Sequence, residues 1–196
     1  MRARQTSALA IDLTRLNGRT VASFYSDLVT RPTGRAVRLG VEQQLAELSA
    51  DQGPCLSILD FSQVRVMDYS CADEIVAKLL LGYSDRKGPS EVYFLARGLQ
   101  DHHLESVEAV LERHGLLLAA EDAGGRSGLL GPATSDERYC WEVLIRHGRI
   151  ARPELVPKSG LAEDVILPTL HRFLASRVVV SLPDDVICPV TKLNGG

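Results

Sequence analysis

Two hydrophobic periods take turns along the first part of the chain. Short runs that are apolar throughout, or alternate every second residue, predict strands at Ser7–Leu13, Cys55–Phe61, Glu91–Ala96 and Leu116–Glu121. Between them apolar residues recur every three or four positions, which predicts helices at Val21–Leu28, Arg35–Leu48, Cys71–Leu81 and Leu104–His114. Pro32 reads as a helix breaker, and Thr33 as the cap of the helix that follows it. Strands that alternate with helices imply an α/β layer fold with crossover connections.

The pattern breaks at Ala-Gly-Gly-Arg-Ser-Gly-Leu-Leu-Gly-Pro-Ala-Thr, residues 123–134, where four glycines and a proline gather. That composition reads as a linker. Beyond it the apolar spacing predicts helices at Glu137–His147, Arg152–Pro157 and Ala162–Ala175, then strands at Val178–Ser181 and Ile187–Val190 around the turn residues Leu182-Pro183-Asp184-Asp185. Pro168 should kink or restart the third of these helices. The expected organisation is an α/β domain over 1–122, a linker over 123–134 and a small α+β domain over 135–196. Helix, helix, helix, hairpin is winged-helix order, so this last domain resembles a degenerate winged helix.

Bulk chemistry narrows the function. With 45% hydrophobic and 24% charged residues, 196 residues suffice for a sizeable core, and a formal charge of -3 supplies no field for gathering phosphates. Cys55, Cys71, Cys140 and Cys188 form no CxxC pair, nothing at the start reads as a secretory signal, and no apolar run is long enough for a membrane span. Reduced thiols in a cytoplasmic protein are expected, with Cys55 and Cys71 acting as small buried hydrophobes.

The most informative segment is Leu59-Asp60-Phe61-Ser62-Gln63-Val64-Arg65-Val66-Met67-Asp68-Tyr69-Ser70-Cys71-Ala72-Asp73-Glu74-Ile75. A buried strand runs into a polar turn, and Ser70 stands where a hydroxyl caps a helix, with Asp73 three residues on as in a capping box and Glu74 beside it. Asp68 reads as a turn former. The segment resembles the strand, loop and helix start of STAS domains such as anti-sigma-factor antagonists, chiefly the STAS-like variants that open the helix with a Ser-Phe-Ala-Asp-Glu-Leu type of sequence. The match is good over about 54–121 and weaker before it. The resemblance implies a STAS-like sheet with helices and a non-enzymatic role in partner switching. It also implies a phosphorylated serine that aligns with Ser70. Tyr69, Asp73 and Glu74 depart from the small residues of the family's motif, and the acids would disfavour a further dianion and alter recognition by a kinase.

Other constellations carry less. Asp60 and Asp68 lack a partnered base and oxyanion donors, so no catalytic residue is assigned. His102 and His103 are adjacent and should point apart, whereas His114 and His147 precede glycines at helix ends. No metal or cofactor is expected. Arg31 and Arg35 flank a loop that could meet an acidic partner. Together with Asp68, Tyr69 and Asp73 they form the expected docking set. The partner would be a histidine-kinase-like ATPase or another signalling protein, and a second copy of the chain is also admitted. DNA is disfavoured: over 135–196 eight basic residues meet eight acids, and Glu163 and Asp164 occupy the positions that would face phosphates. A transcription regulator reading DNA through the C-terminal segment is the competing expectation.

Overall fold

A computed structural model describes residues 7–12, 27–48, 55–84 and 92–193. The chain is an α/β protein. Strands β1 (Ser7–Asp12), β3 (Cys55–Asp60), β5 (Val92–Arg97) and β6 (Leu118–Glu121) lie side by side in chain order and are parallel, and β7 (Ser127–Leu130) closes one edge antiparallel. A two-stranded ribbon joins β2 (Asp27–Leu28) to β4 (Val66–Met67).

Helix α1 (Arg31–Leu48) follows β2. Helix α2 opens with Tyr69–Ala72, widens into a π-turn over Asp73–Ala77 and ends with Lys78–Ser84. Helix α3 (Asp101–His114) connects β5 to β6. Parallel neighbours in chain order, joined by crossovers of one hand, put their helices on one face of the sheet. Val37, Val41, Ile75, Leu79, Val107 and Leu111 accordingly meet Leu59, Phe61, Phe94, Ala96 and Leu118 there.

The alternate residues of the same strands point the other way. Leu56, Ile58, Tyr93, Leu95, Leu117 and Leu129 pack with Trp141, Leu144, Ile166, Leu170, Phe173 and Ile187. That cover comes from α4 (Ser135–His147), β8 (Ile150–Ala151), α5 (Arg152–Ser159), α6 (Glu163–Ala175), β9 (Val179–Leu182) and β10 (Val186–Pro189). The last three strands form a sheet in the order β8-β10-β9. Residues 123–134 are therefore not a free linker. They contain β7, and Arg138 donates to the carbonyls of Leu129 and Gly131 at 3.0 Å each. Gly131 is the most restricted position there: at φ +100° an added Cβ would lie 2.1 Å from the Leu116 oxygen.

Several local expectations change with tertiary pairing. Of the helix expected at Val21–Leu28, residues 21–26 lie outside the described residues, and Asp27–Leu28 is a strand because it pairs with Val66–Met67. Helix α1 starts before Pro32, which sits in the first turn where no backbone donor is needed. Thr30, rather than Thr33, caps it, its Oγ1 accepting from the Thr33 amide at 3.3 Å. Strand β8 escaped the periodicity because two residues carry no period. Helix α6 runs through Pro168 without interruption.

At about 1.5–3 kcal/mol for each large apolar side chain, the six sheet residues facing the C-terminal segment contribute as much as a domain's net stability, about 5–15 kcal/mol. The full chain is expected to unfold in one transition. A fragment ending at residue 134 should bind a hydrophobic dye and lose cooperative unfolding in urea; a soluble, cooperatively folded fragment would show that the two halves are independent.

Candidate functional site

The site is built around the start of α2, which the first turn of α1 and the last turn of α3 both meet. After β3, Phe61 donates its amide to the Arg97 carbonyl at 2.8 Å, extending the ladder by one residue. The Asp60 carboxylate then turns the chain by accepting from the Ser62 amide at 2.9 Å. The β2–β4 ribbon brings the segment back, and Asp68 donates its amide to the Leu28 carbonyl at 2.9 Å. α3 pins the loop from outside: Ser106 donates to the Met67 carbonyl at 3.3 Å and the His102 ring lies 2.7 Å from the Arg65 carbonyl.

Asp68, not Ser70, caps α2. Its φ and ψ are -84° and 168°, and its Oδ1 accepts from the Cys71 amide at 2.8 Å. Ser70 falls inside the first turn, and its hydroxyl donates to the same carboxylate at 2.9 Å. An ionised carboxylate is the stronger acceptor, so it takes the cap two residues before the hydroxyl could. Ser70, Tyr69 and Asp68 are each half-buried.

Nor is Asp73 the partner of Ser70 in a capping box. Asp73 and Glu74 are buried, in the π-turn, beneath a ring of cations. Arg31 donates from one nitrogen to Asp73 at 3.0 Å and to Glu74 at 3.2 Å. His114 meets Asp73 at 3.1 Å, while Arg38, at 3.4 Å, and Lys78 meet Glu74. For both acids, burial pushes the pKa up. His114 and Arg31 on Asp73, and Lys78, Arg31 and Arg38 on Glu74, outweigh it and hold both below the ordinary carboxylate range.

Two features let α1 come close enough for this. Gly34 packs on α2, and a Cβ there would lie 2.9 Å from the Cys71 Cα. The Cys71 thiol donates to the Thr30 carbonyl at 2.9 Å, and burial, with the Asp68 charge behind it, pushes its pKa up to about 11. This cysteine is a packing residue, not a nucleophile. Cys140 and Cys188 are likewise buried and unpaired, and the Cys55 side chain is outside the described residues.

The outer rim differs in charge from the floor. Arg113 donates to the Tyr69 hydroxyl at 3.1 Å, and Arg31 keeps 51% of its side chain exposed. Arg35, one turn further along α1, is exposed and bonds to no side chain among the described residues. Val29 and Val66, 47% and 48% exposed, belong to or adjoin the ribbon that leads to Asp68. The expected docking residues Arg31, Tyr69, Asp73 and Asp68 thus converge, but with Asp73 as buried floor.

His102 and His103 do not point apart. Their rings meet at 4.0 Å, because the His103 Nδ1 accepts from the Gln100 amide at 3.3 Å and turns the ring inward. Burial, then the neighbouring His102, lower the His103 pKa.

Comparison with protein-family models, with curated proteins and with solved structures finds no match for this chain. Among the described residues no helix is long and apolar enough to cross a membrane. A 320 Å³ cavity beneath Leu80, Tyr83, Phe94 and Val178, and a 480 Å³ groove beside β7, are both lined by residues outside the Asp68–Glu74 segment.

Sequence reasoning missed Arg38, Lys78, His114 and Arg113. The Glu74–Lys78 spacing is a readable i, i+4 pair, and Arg38 lies two helical turns after Arg31. His114 and Arg113 come from another helix and leave no local signal.

Because the folded pKa values of Asp73 and Glu74 are depressed, their stabilisation is present above about pH 4.5 and is lost as pH falls through the folded values. Glu74→Gln is expected to cost about 1–3 kcal/mol at pH 7 and to flatten the acid limb of stability against pH in urea melts. An unchanged acid limb would refute the assignment. Asp68→Ala, which removes the cap, should cost about 1 kcal/mol in the same assay.

Proposed function

We propose that this chain is a non-enzymatic regulatory protein that acts by binding another protein, and that the charge state of Ser70 controls that binding. The docking face is the ribbon, the loop and the start of α2. One observation carries the reading: Ser70 is half-buried in the first turn of α2, in the segment that the ribbon with its exposed Val66 leads into, while Asp73 and Glu74 beyond it are buried and paired with basic side chains. Asp73 and Glu74 are thereby paired with basic groups, and Asp68, which accepts from the Ser70 hydroxyl, is the acid that would oppose a phosphate there.

The resemblance of residues 59–75 to STAS-like sequences points to the same loop. Four parallel strands in chain order with three helices on one face, and the loop after a central strand, fit a STAS-like domain. The partner implied is a histidine-kinase-like ATPase or another signalling protein in a partner-switching pathway. This reading puts the protein in the cytoplasm, where Cys71, Cys140 and Cys188 stay reduced.

The C-terminal segment has winged-helix-like order: helix, strand, helix, helix, hairpin. We read it as a degenerate version whose apolar faces serve the sheet. The exposed positions of α6 carry Glu163, Asp164, Leu167 and His171, a poor set for DNA phosphates.

The test is capture from a lysate of the source organism with wild type, Ser70→Ala and Ser70→Asp baits, read by mass spectrometry. A nucleotide-binding kinase or sigma regulator should be recovered by the first two and reduced at least tenfold with the third. Equal recovery by all three would overturn the switch, and co-purified DNA without a signalling protein would favour a transcription regulator.

A further inference from the structure

We infer that Arg31 and Arg113 form a receiver for a phosphate on Ser70, so that modification draws two guanidinium groups out of the docking face. The inference rests on the assignment of Ser70 as the switch and concerns how its charge is read.

The argument starts from a surplus of donors. Glu74 has three partners, Arg31, Arg38 and Lys78, and Asp73 has two, Arg31 and His114. Arg31 is the shared member of both sets. If it left, neither buried acid would be abandoned: Glu74 would keep Arg38 and Lys78, and Asp73 would keep His114. Arg38, 18% exposed, and the two acids form the floor, whereas Arg31 stands 51% exposed and spends a single nitrogen on both carboxylates. A guanidinium has five donors in a fork that fits phosphate, so most of the Arg31 recognition capacity is unspent.

Arg113 completes the pair. It is exposed and, among the described residues, anchored by one bond to the hydroxyl of Tyr69, the residue before Ser70. Tyr69 opens the same helical turn that leads to Asp73, the carboxylate to which Arg31 donates, so both guanidinium groups are held by the first turns of α2. Asp73 stands three residues after Ser70, a spacing that makes two side chains neighbours on one helix face.

The present partner of Ser70 cannot hold a phosphate. The hydroxyl is the donor in its bond to Asp68, and an ionised carboxylate only accepts. Phosphoryl transfer from a nucleoside triphosphate on the partner breaks the bond to the leaving diphosphate and forms the Oγ–P bond. The hydroxyl proton passes to Asp68 and on to water. Two acceptor-only groups then face each other, and the phosphate swings from Asp68 toward the nearest mobile cations. With both arginines engaged, the rim loses two of the donors it offers to an acidic partner surface.

The experiment needs no kinase. Phosphoserine is installed at position 70 by genetic encoding in the full chain, and its ionisation is followed by ³¹P NMR. The second pKa is expected at least half a unit below the ordinary value of about 6, and Arg113→Gln should return at least half of that shift. Arg31→Gln should do the same, with thermal melts confirming that both variants remain folded. A pKa at or above the ordinary value, or a lowered one that neither variant moves, overturns the receiver. Failure of lysate capture with a lowered, arginine-dependent pKa would instead remove the partner reading and leave the receiver standing.

Discussion

A parallel sheet has two apolar faces, and winding the chain through β1, β3, β5 and β6 in order covers only one of them. The rest of the structure answers that constraint. Strands buried on both sides need a second layer, and the described helices α1, α2 and α3 all lie on the first face. The C-terminal three-helix unit supplies the layer. Trp141, Phe173 and their neighbours meet Tyr93 and Leu95, so this segment is part of the sheet's core whatever else it does.

The same winding gathers the chemistry. With α1, α2 and α3 on one face, the first turns of α1 and α2 and the last turn of α3 meet. Gly34 allows α1 to lie against the first turn of α2, and that close approach carries Arg31 and Arg38 to Asp73 and Glu74. The two acids can be buried because Arg31 and Arg38 from α1, Lys78 from α2 and the His114 ring from α3 surround them. Isolated, either carboxylate would take up a proton instead of remaining charged at that depth. The π-turn at Asp73–Ala77 places both acids inward at consecutive positions, a device often found at functional sites. The result is a layered electrostatic arrangement, with buried negative charge below and arginine nitrogens above, and Ser70 stands on the Asp68 cap that opens the same helix.

The elements with many periods were legible. Helices α3, α4 and α6 and strands β3, β5 and β6 stand within a few residues of their expected positions, since apolar spacing over such lengths reports which side is buried. The two-residue strands β2, β4 and β8 were not, because strands that short exist only through their partners. Glycine content misled at 123–134: the same residues that suit a linker also suit an edge strand entered and left by tight turns. At the site, Asp68, Tyr69, Ser70 and Asp73 were found from their order in the chain, while their roles were exchanged. Asp68 became the cap, Ser70 its donor, and Asp73 the buried floor.

The amino-acid sequence by itself determined an α/β chain with a marked loop at 59–75, because hydrophobic period and capping chemistry are properties of neighbours along the chain. Only the tertiary structure decided that the second half covers the sheet. It also decided that Asp73 and Glu74 find partners on three helices and that Arg113 reaches Tyr69. Those facts depend on residues about 30 to 85 positions apart meeting in space, and charge pairing across such separations leaves no periodic trace.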